Sequence, residues 1–237
     1  MSIPLNASYR FTNNPVELSR YNMIEQQIRP WQVYDGDVLE LLGQMRREDF
    51  VPEPYRGMAF TDMEIPLRGE PDEAVRKGEC MLTPKVEARL LQDLKVQPHE
   101  RVLEIGAGSG FMAALLARTA KHVVTLEIEP ELAEMARTNL ARAGYGNVEV
   151  RLGDGSTGAI PDGPFDVIVL SGSVAEAPQH LLARLRDGGR LSAFVGQEPV
   201  MRTTIVYRTG PSFAATQPWD TDTARLRNFP EPSRFRF

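Results

Sequence analysis

Cysteine is almost missing from this chain: Cys80 is the single one among 237 residues. No disulfide can form within the chain, and a cysteine-based metal cluster is excluded. A reducing, cytoplasmic setting is the simplest expectation. Histidine is scarce too, and His99, His122 and His180 lie far apart without ligand spacing, so no metal site is expected. No run approaches the roughly 18 apolar residues of a membrane span. Residues 1–10 lack a basic stretch followed by an apolar one, so no secretory leader is expected. Positive charge is not in excess, with 27 Lys and Arg against 32 Asp and Glu and a net charge of −5. A nucleic-acid partner needs a basic stripe and is therefore not expected. Arg225, Arg227, Arg234 and Arg236 are interleaved with apolar or acidic residues and read as solvated.

What is present is an ordinary globular balance, 42% hydrophobic and 25% charged residues, in a chain long enough to bury a full core. Asn13-Asn14-Pro15 is a turn that ends an N-terminal arm. Leu18, Tyr21, Ile24 and Ile28 then recur at helical spacing until Pro30, and Val38, Leu41, Leu42 and Met45 mark a second helix over 37–45. Residues 67–79 carry seven charges in thirteen positions, with Pro71 and two glycines, and read as a solvated loop. Pro84 suits the first turn of a helix whose stripe is Val86, Leu90, Leu91 and Leu94.

From residue 101 the pattern changes. Short β-rich runs at 101–105, 122–127, 148–152, 165–170, 189–195 and 203–207 alternate with helical runs at 111–119, 130–143 and 178–185. This alternation predicts an α/β fold with a doubly wound, mostly parallel sheet. Residues 1–83 are expected to form a helical extension and loop packed on a ligand-binding domain at 84–237, the whole being one structural unit.

The first strand runs into Glu104-Ile105-Gly106-Ala107-Gly108-Ser109-Gly110-Phe111. Glycines in a strand-to-helix turn let a ligand approach the backbone, and the helix N-terminus aims free N–H groups at it. The spacing is G-x-G-x-G. The dinucleotide fingerprint needs a third glycine at 111, where Phe111 stands, so a pyrophosphate cofactor is disfavoured. The second strand ends in Glu127, positioned to accept both hydroxyls of a ribose, with Ile128 following. The third leads into Gly153-Asp154-Gly155, where Asp154 is either an acceptor for an adenine amino group or simply an Asx turn. The fourth ends in Ser171-Gly172-Ser173, small polar residues past which a cofactor tail could run. Three successive strand ends thus offer cofactor chemistry in one crevice.

Taken together, Glu104-Ile-Gly-x-Gly-Ser-Gly, Glu127 and Gly153-Asp154-Gly155 resemble the class I S-adenosylmethionine-dependent methyltransferases, and most closely the protein-L-isoaspartate O-methyltransferase family. Met23-Ile-Glu-Gln-Gln-Ile-Arg29, Arg47-Glu-Asp-Phe-Val-Pro52 and Phe165-Asp-Val-Ile168 extend the resemblance over about residues 20–210. The resemblance implies S-adenosylmethionine as cofactor. Gly106, Gly108 and Glu127 would hold it, with Asp154 and Gly155 near its adenine; Glu104, Ala107, Ser109, Ile128 and Ser171 complete the candidate set. It also implies a protein or peptide substrate whose isoaspartyl α-carboxylate accepts the methyl group. The substrate side departs from the family. Its Thr-Ile-Ser-x-Pro motif reads Cys80-Met81-Leu82-Thr83-Pro84 here, so Leu82 stands at the serine position and Thr83 offers a hydroxyl one residue later. Segment 67–79 is longer than the family's glycine-rich lead, and the Phe-Val-Pro-Leu segment that closes the family's site is replaced by Arg227-Asn-Phe-Pro-Glu-Pro. Three readings follow: an isoaspartyl methyltransferase, a methyltransferase of the same fold acting on another carboxylate or small molecule, and a cofactor-binding protein without catalysis.

Overall fold

The computed structural model describes residues 13–157, 160 and 162–232; most of the expected arm, with Arg234 and Arg236, lies outside them. The described chain enters through helix α1, Pro15–Met23. Asn14 caps it by accepting from Val16 N at 3.0 Å, and Pro15 fills the first turn, where no N–H is needed. The helical path continues past Met23 by widening to a π turn over Ile24–Ile28 and tightening to a 3₁₀ turn over Arg29–Trp31. It stops at Gln32, which takes a left-handed φ of 62°. Helix α2, Gly36–Gln44, is capped by the Asp35 carboxylate, which accepts from Asp37 N and Val38 N.

Strands β1, Ile65–Pro66, and β2, Cys80–Met81, pair antiparallel. Between them the expected loop contains a helix, α3, Pro71–Lys77. Pro71 starts this helix rather than breaking it. Asp72 and Glu73 sit in the first turn and Arg76 and Lys77 in the last, each complementing the helix dipole, and Gly78 ends it with φ 70°. The charges that suggested a solvated loop are thus a helix-forming pattern too short to show an apolar stripe. Helix α4, Pro84–Leu94, follows directly.

The main sheet comprises β3 (Arg101–Ile105), β4 (His122–Glu127), β5 (Val148–Leu152), β6 (Phe165–Val174), β7 (Leu185–Gln197), β8 (Val200–Thr209) and β9 (Ser212–Thr221), in the order β5-β4-β3-β6-β7-β8-β9. The strands β3 to β7 pair parallel, whereas β8 and β9 pair antiparallel at one edge. The central strands β3, β4 and β6 are buried along nearly their whole length, which is why they read as continuous apolar runs. The crossover helices are α5 (Phe111–Ala117), α6 (Pro130–Arg142) and the short α7 (Gln179–Leu182). The run expected to be helical over 178–185 is only one turn, because β7 already begins at Leu185. Strand β9 has no counterpart among the expected elements: most of its residues are exposed, so alternation gave it no pattern.

Every side chain of α5 is buried, and the cluster around it joins Ile24, Ile28, Leu39 and Leu42 of the N-terminal helices to Leu90, Leu94, Leu115 and Leu116. Three buried ion pairs tie these layers: Arg20–Glu48 at 2.8 Å, Arg47–Glu87, and Arg190–Glu100 at 2.7 Å. The turn before α5 depends on Gly110, whose φ is 86°. A Cβ there would stand 3.1 Å from Leu140 Cγ and 3.3 Å from the Ala136 backbone. Gly110→Ala is therefore expected to cost about 1–3 kcal/mol from backbone strain plus packing against α6. Thermal unfolding would show it as a Tm several degrees lower, whereas Gly146→Ala, where nothing lies within 4 Å, should leave Tm nearly unchanged.

Candidate cofactor and methyl-transfer site

The carboxyl ends of β3, β4, β5 and β6 open onto one cleft. The glycine loop forms its floor. Gly106 N and Ala107 N both donate to Leu126 O, at 2.8 and 3.2 Å, which pins the loop to the end of β4. Gly106 and Gly108 have φ of 95° and 51°, a region L side chains rarely adopt. A Cβ on Gly106 would come 3.3 Å from Leu226 and one on Gly108 3.2 Å from Leu67, both wall residues of the cleft. Gly110 differs from the expectation that all three glycines clear a ligand: its missing Cβ makes room for α6 instead.

Glu127, 6% exposed, holds the loop and the next turn together. Its Oε2 accepts from Gly108 N at 2.8 Å, and its Oε1 from Ile128 N and Glu129 N at 2.9 and 3.1 Å. A carboxylate offers about four lone-pair sites, so capacity for a ribose hydroxyl remains. Asp154 makes the Asx turn, its Oδ1 accepting from Ser156 N at 2.8 Å; it also lines the cleft, where its Oδ2 accepts from Asn228 at 2.7 Å. Burial alone would raise its pKa, but the hydrogen bonds from Ser156 and Asn228 outweigh it and hold the carboxyl below its usual range. Gly155 is required by packing, since a Cβ would collide with Ile105.

Of the candidate residues, Gly106, Gly108, Glu127, Ile128, Asp154, Gly155 and Ser171 line this cleft. Glu104 lies beneath its floor. It is fully buried, accepts from Thr125 Oγ1 at 2.7 Å and Ser171 Oγ at 2.8 Å, and reaches the cleft only through Ser171. Burial pushes its carboxyl up to about 8 against the opposing effect of those two hydroxyls. Ala107 and Ser109 line a second, smaller inner cavity. That cavity shares Cys80, Gly106, Gly108 and Ser171 with the cleft and extends beneath Met81 and Leu82 to Glu87. Leu82 faces it. Thr83 does not line either cavity, and its hydroxyl is buried without a hydrogen-bond partner among the described residues. Arg47 donates to Leu82 O at 2.6 Å and to the Glu87 carboxylate, which fixes this stretch of backbone.

Several cleft residues were not recognised in the sequence. The C-terminal segment runs beside β6, with Ser173 N donating to Ala224 O and Leu226 N to Ser173 O, and so places Arg225, Leu226, Arg227 and Phe229 on the cleft wall. Arg225 and Arg227 are not free solvated charges. Arg225 pairs with Glu231 and donates to Gly196 O, and Arg227 pairs with Glu79 at 2.5 Å and with Glu129. Arg68 joins the same carboxylates, with Glu79 at 2.6 Å and Glu129 at 2.5 Å. The bonds from Arg68 and then Arg227 hold Glu79 down at about 2. These partners lie up to 148 residues apart, and no local motif links them.

Residues 18–216 match the model of the protein-L-isoaspartate(D-aspartate) O-methyltransferase family. A protein-L-isoaspartate O-methyltransferase from Methanoculleus marisnigri is 41% identical over 183 residues, covering 77% of this chain and 80% of that protein. One from Herpetosiphon aurantiacus is 34% identical over 197 residues, covering 83% and 84%. A solved protein-L-isoaspartate O-methyltransferase superposes with a TM-score of 0.75 at 22% identity, over 87% of this chain and 65% of its own. A Plasmodium falciparum structure described as a putative member in complex with S-adenosyl-L-homocysteine superposes with a TM-score of 0.73 at 17% identity, over 91% and 99%.

Glu127→Ala should weaken S-adenosyl-L-homocysteine binding by about tenfold or more, the order of one charge-assisted hydrogen bond together with loss of the loop's anchor. Titration calorimetry reads this directly. An unchanged affinity in a folded variant would show that the ribose is held by other groups.

Proposed function

The chain belongs to the protein-L-isoaspartate(D-aspartate) O-methyltransferase family, and from that premise we propose that its cleft transfers a methyl group to the α-carboxylate of isoaspartyl residues in proteins or peptides. It is an S-adenosylmethionine-dependent O-methyltransferase, with the α/β fold of that family. The observation that carries the reading is the meeting of the glycine loop, Glu127 and Asp154 on one cleft at neighbouring strand ends.

These donors and acceptors suit the cofactor. Glu127 would accept from a ribose hydroxyl with its remaining capacity, and the Asp154-Gly155 turn would hold the adenine. The positive-φ backbone at Gly106 and Gly108 leaves no side chain between loop and ligand. Ser171, already bonded to Glu104, borders the passage from the cleft to the inner cavity. When bound, S-adenosylmethionine supplies a sulfonium methyl that passes to a carboxylate oxygen while sulfur keeps the bonding electron pair. The acceptor carboxylate is already ionised at neutral pH, so no base is needed from the chain. What the protein supplies is orientation of the reacting atoms in line, together with exclusion of water from a cavity walled by Leu82, Phe111 and Met112.

Among the described residues no helix is long and apolar enough to cross a membrane. Cys80 is half-buried and pushed up to about 12 by burial first and then by the charges of Glu64 and Glu79, so its thiol stays protonated and unreactive. We take the cytoplasm as the compartment in which this protein acts.

With labelled S-adenosylmethionine, an isoaspartyl peptide should accept methyl at least about tenfold faster than the matched aspartyl peptide, a difference set by orientation of the acceptor. Equal rates, or transfer only to free small carboxylates, would point to the second reading of the sequence.

A further inference from the structure

Leu82 leaves the inner cavity without a hydroxyl at the position where the family motif carries serine, yet the cavity is not wholly apolar. Glu87 lines it from α4, and the residue is 2% exposed. Its Oε2 accepts from Arg47, while Oε1 has no hydrogen-bond partner among the described residues. Arg47 is itself enclosed. It packs its guanidinium over the Phe111 ring at 4.9 Å and donates its other terminal nitrogen to Leu82 O. The cavity therefore holds one ionisable oxygen with spare hydrogen-bonding capacity, next to the point where the cleft and the cavity share Gly106 and Ser171.

We propose that Glu87, as a neutral carboxylic acid, donates the hydrogen bond that positions the methyl-accepting carboxylate, in place of the hydroxyl missing at Leu82. The inference rests on the isoaspartyl reading above. An anionic acceptor beside an ionised Glu87 would be repelled, and both would have lost their water. With the proton on Oε1, one carboxyl oxygen still accepts from Arg47 and the other donates to the acceptor, so the set of Arg47, Glu87 and acceptor carries no net charge. The second acceptor oxygen attacks the methyl group, the S–CH₃ bond breaks with its electron pair on sulfur, and a neutral ester results. The proton stays on Glu87 until the ester leaves.

Burial pushes the Glu87 carboxyl up to about 7, against the charge and hydrogen bond of Arg47, and an anion entering beside it raises it further. Among the described residues the other titratable groups around it are Glu104 on β3, pushed up to about 8 by burial first and last by the charge of Glu87, and Cys80 on β2, pushed up to about 12 by burial. Burial and an entering anion thus both favour the protonated form of Glu87, and that form is lost as pH rises.

Two measurements test this. In single turnover with saturating S-adenosylmethionine, S-adenosylhomocysteine formed with an isoaspartyl peptide should fall about tenfold or more between pH 6 and pH 9. Glu87→Gln, whose amide donates at every pH and still accepts from Arg47, should lose most of that fall; any remainder belongs to Glu104. Calorimetry of the same peptide binding to the S-adenosylhomocysteine complex, in buffers of different ionisation enthalpy near pH 8, should show net proton uptake in the parent that is largely lost in Glu87→Gln. Leu82→Ser, which restores a donor without touching the ion pair, should blunt the alkaline fall and guards against a Glu87 variant that does not fold. A flat or rising parent profile, or no proton uptake, would overturn the role of Glu87 while leaving isoaspartyl transfer intact. A parent that binds cofactor but methylates no isoaspartyl peptide at any pH would overturn the functional reading and this inference with it.

Discussion

Arg47 carries a permanent charge into a place where water cannot follow, and the arrangement around the site depends on how that charge is satisfied. A guanidinium has five N–H donors and no means of losing its proton, so burial to 2% exposure obliges its neighbours to supply oxygen or π electrons. Glu87 gives a carboxylate from α4, Leu82 gives its carbonyl from the segment after β2, and Phe111 gives its ring from the first turn of α5. Those three contacts fix the spacing between the N-terminal extension, the backbone after β2 and the glycine loop. Removing one member of a buried pair typically costs about 3–5 kcal/mol because the other is left uncompensated. The extension is therefore not an appendage to the sheet; it supplies the cation around which one wall of the inner cavity is built.

The legible part of this protein is the part whose determinants are local. Val102-Leu103-Glu104-Ile105 followed by three alternating glycines can be read as strand, turn and helix because burial on both faces and positive φ leave a direct mark on residue type. Glu127 and Asp154 follow from the rule that ligands gather at the carboxyl ends of parallel strands. Segment 71–77 was hidden because a two-turn helix with charged flanks lacks an apolar stripe. Gly110 looked like its two neighbours, although only the three-dimensional approach of Leu140 distinguishes it. Arg225 and Arg227 looked solvated because Glu79 and Glu129, which neutralise Arg227, sit in different elements. Glu87 carries its sign in spacing alone: it stands three, four and seven residues before Leu90, Leu91 and Leu94, on the apolar face of α4, where an acid is out of place.

The rim of the cleft shows the same dependence on distant partners. Arg68 and Arg227 share Glu79 and Glu129, so one set of charges links the β1–β2 unit, the start of α6 and the C-terminal segment. Arg68 is about a quarter exposed and Arg227 about a third, so salt screens these pairs and each contributes modestly to stability. Their effect is geometric. They hold three pieces of chain that share no strand pairing at fixed places around one opening.

The wall formed by residues 224–229 bears on how the protein is made. Synthesis proceeds from the N-terminus, so the glycine loop, Glu127 and Asp154 are all on the ribosome's far side before Leu226 and Asn228 have been joined to the chain. A nascent chain that has completed β9 already possesses the floor of the cleft but lacks the side that bonds Asp154 and packs on Gly106 and Gly172. The cleft is thus completed by the docking of residues 224–229 on β6, a step that can follow only once the sheet beneath it has formed.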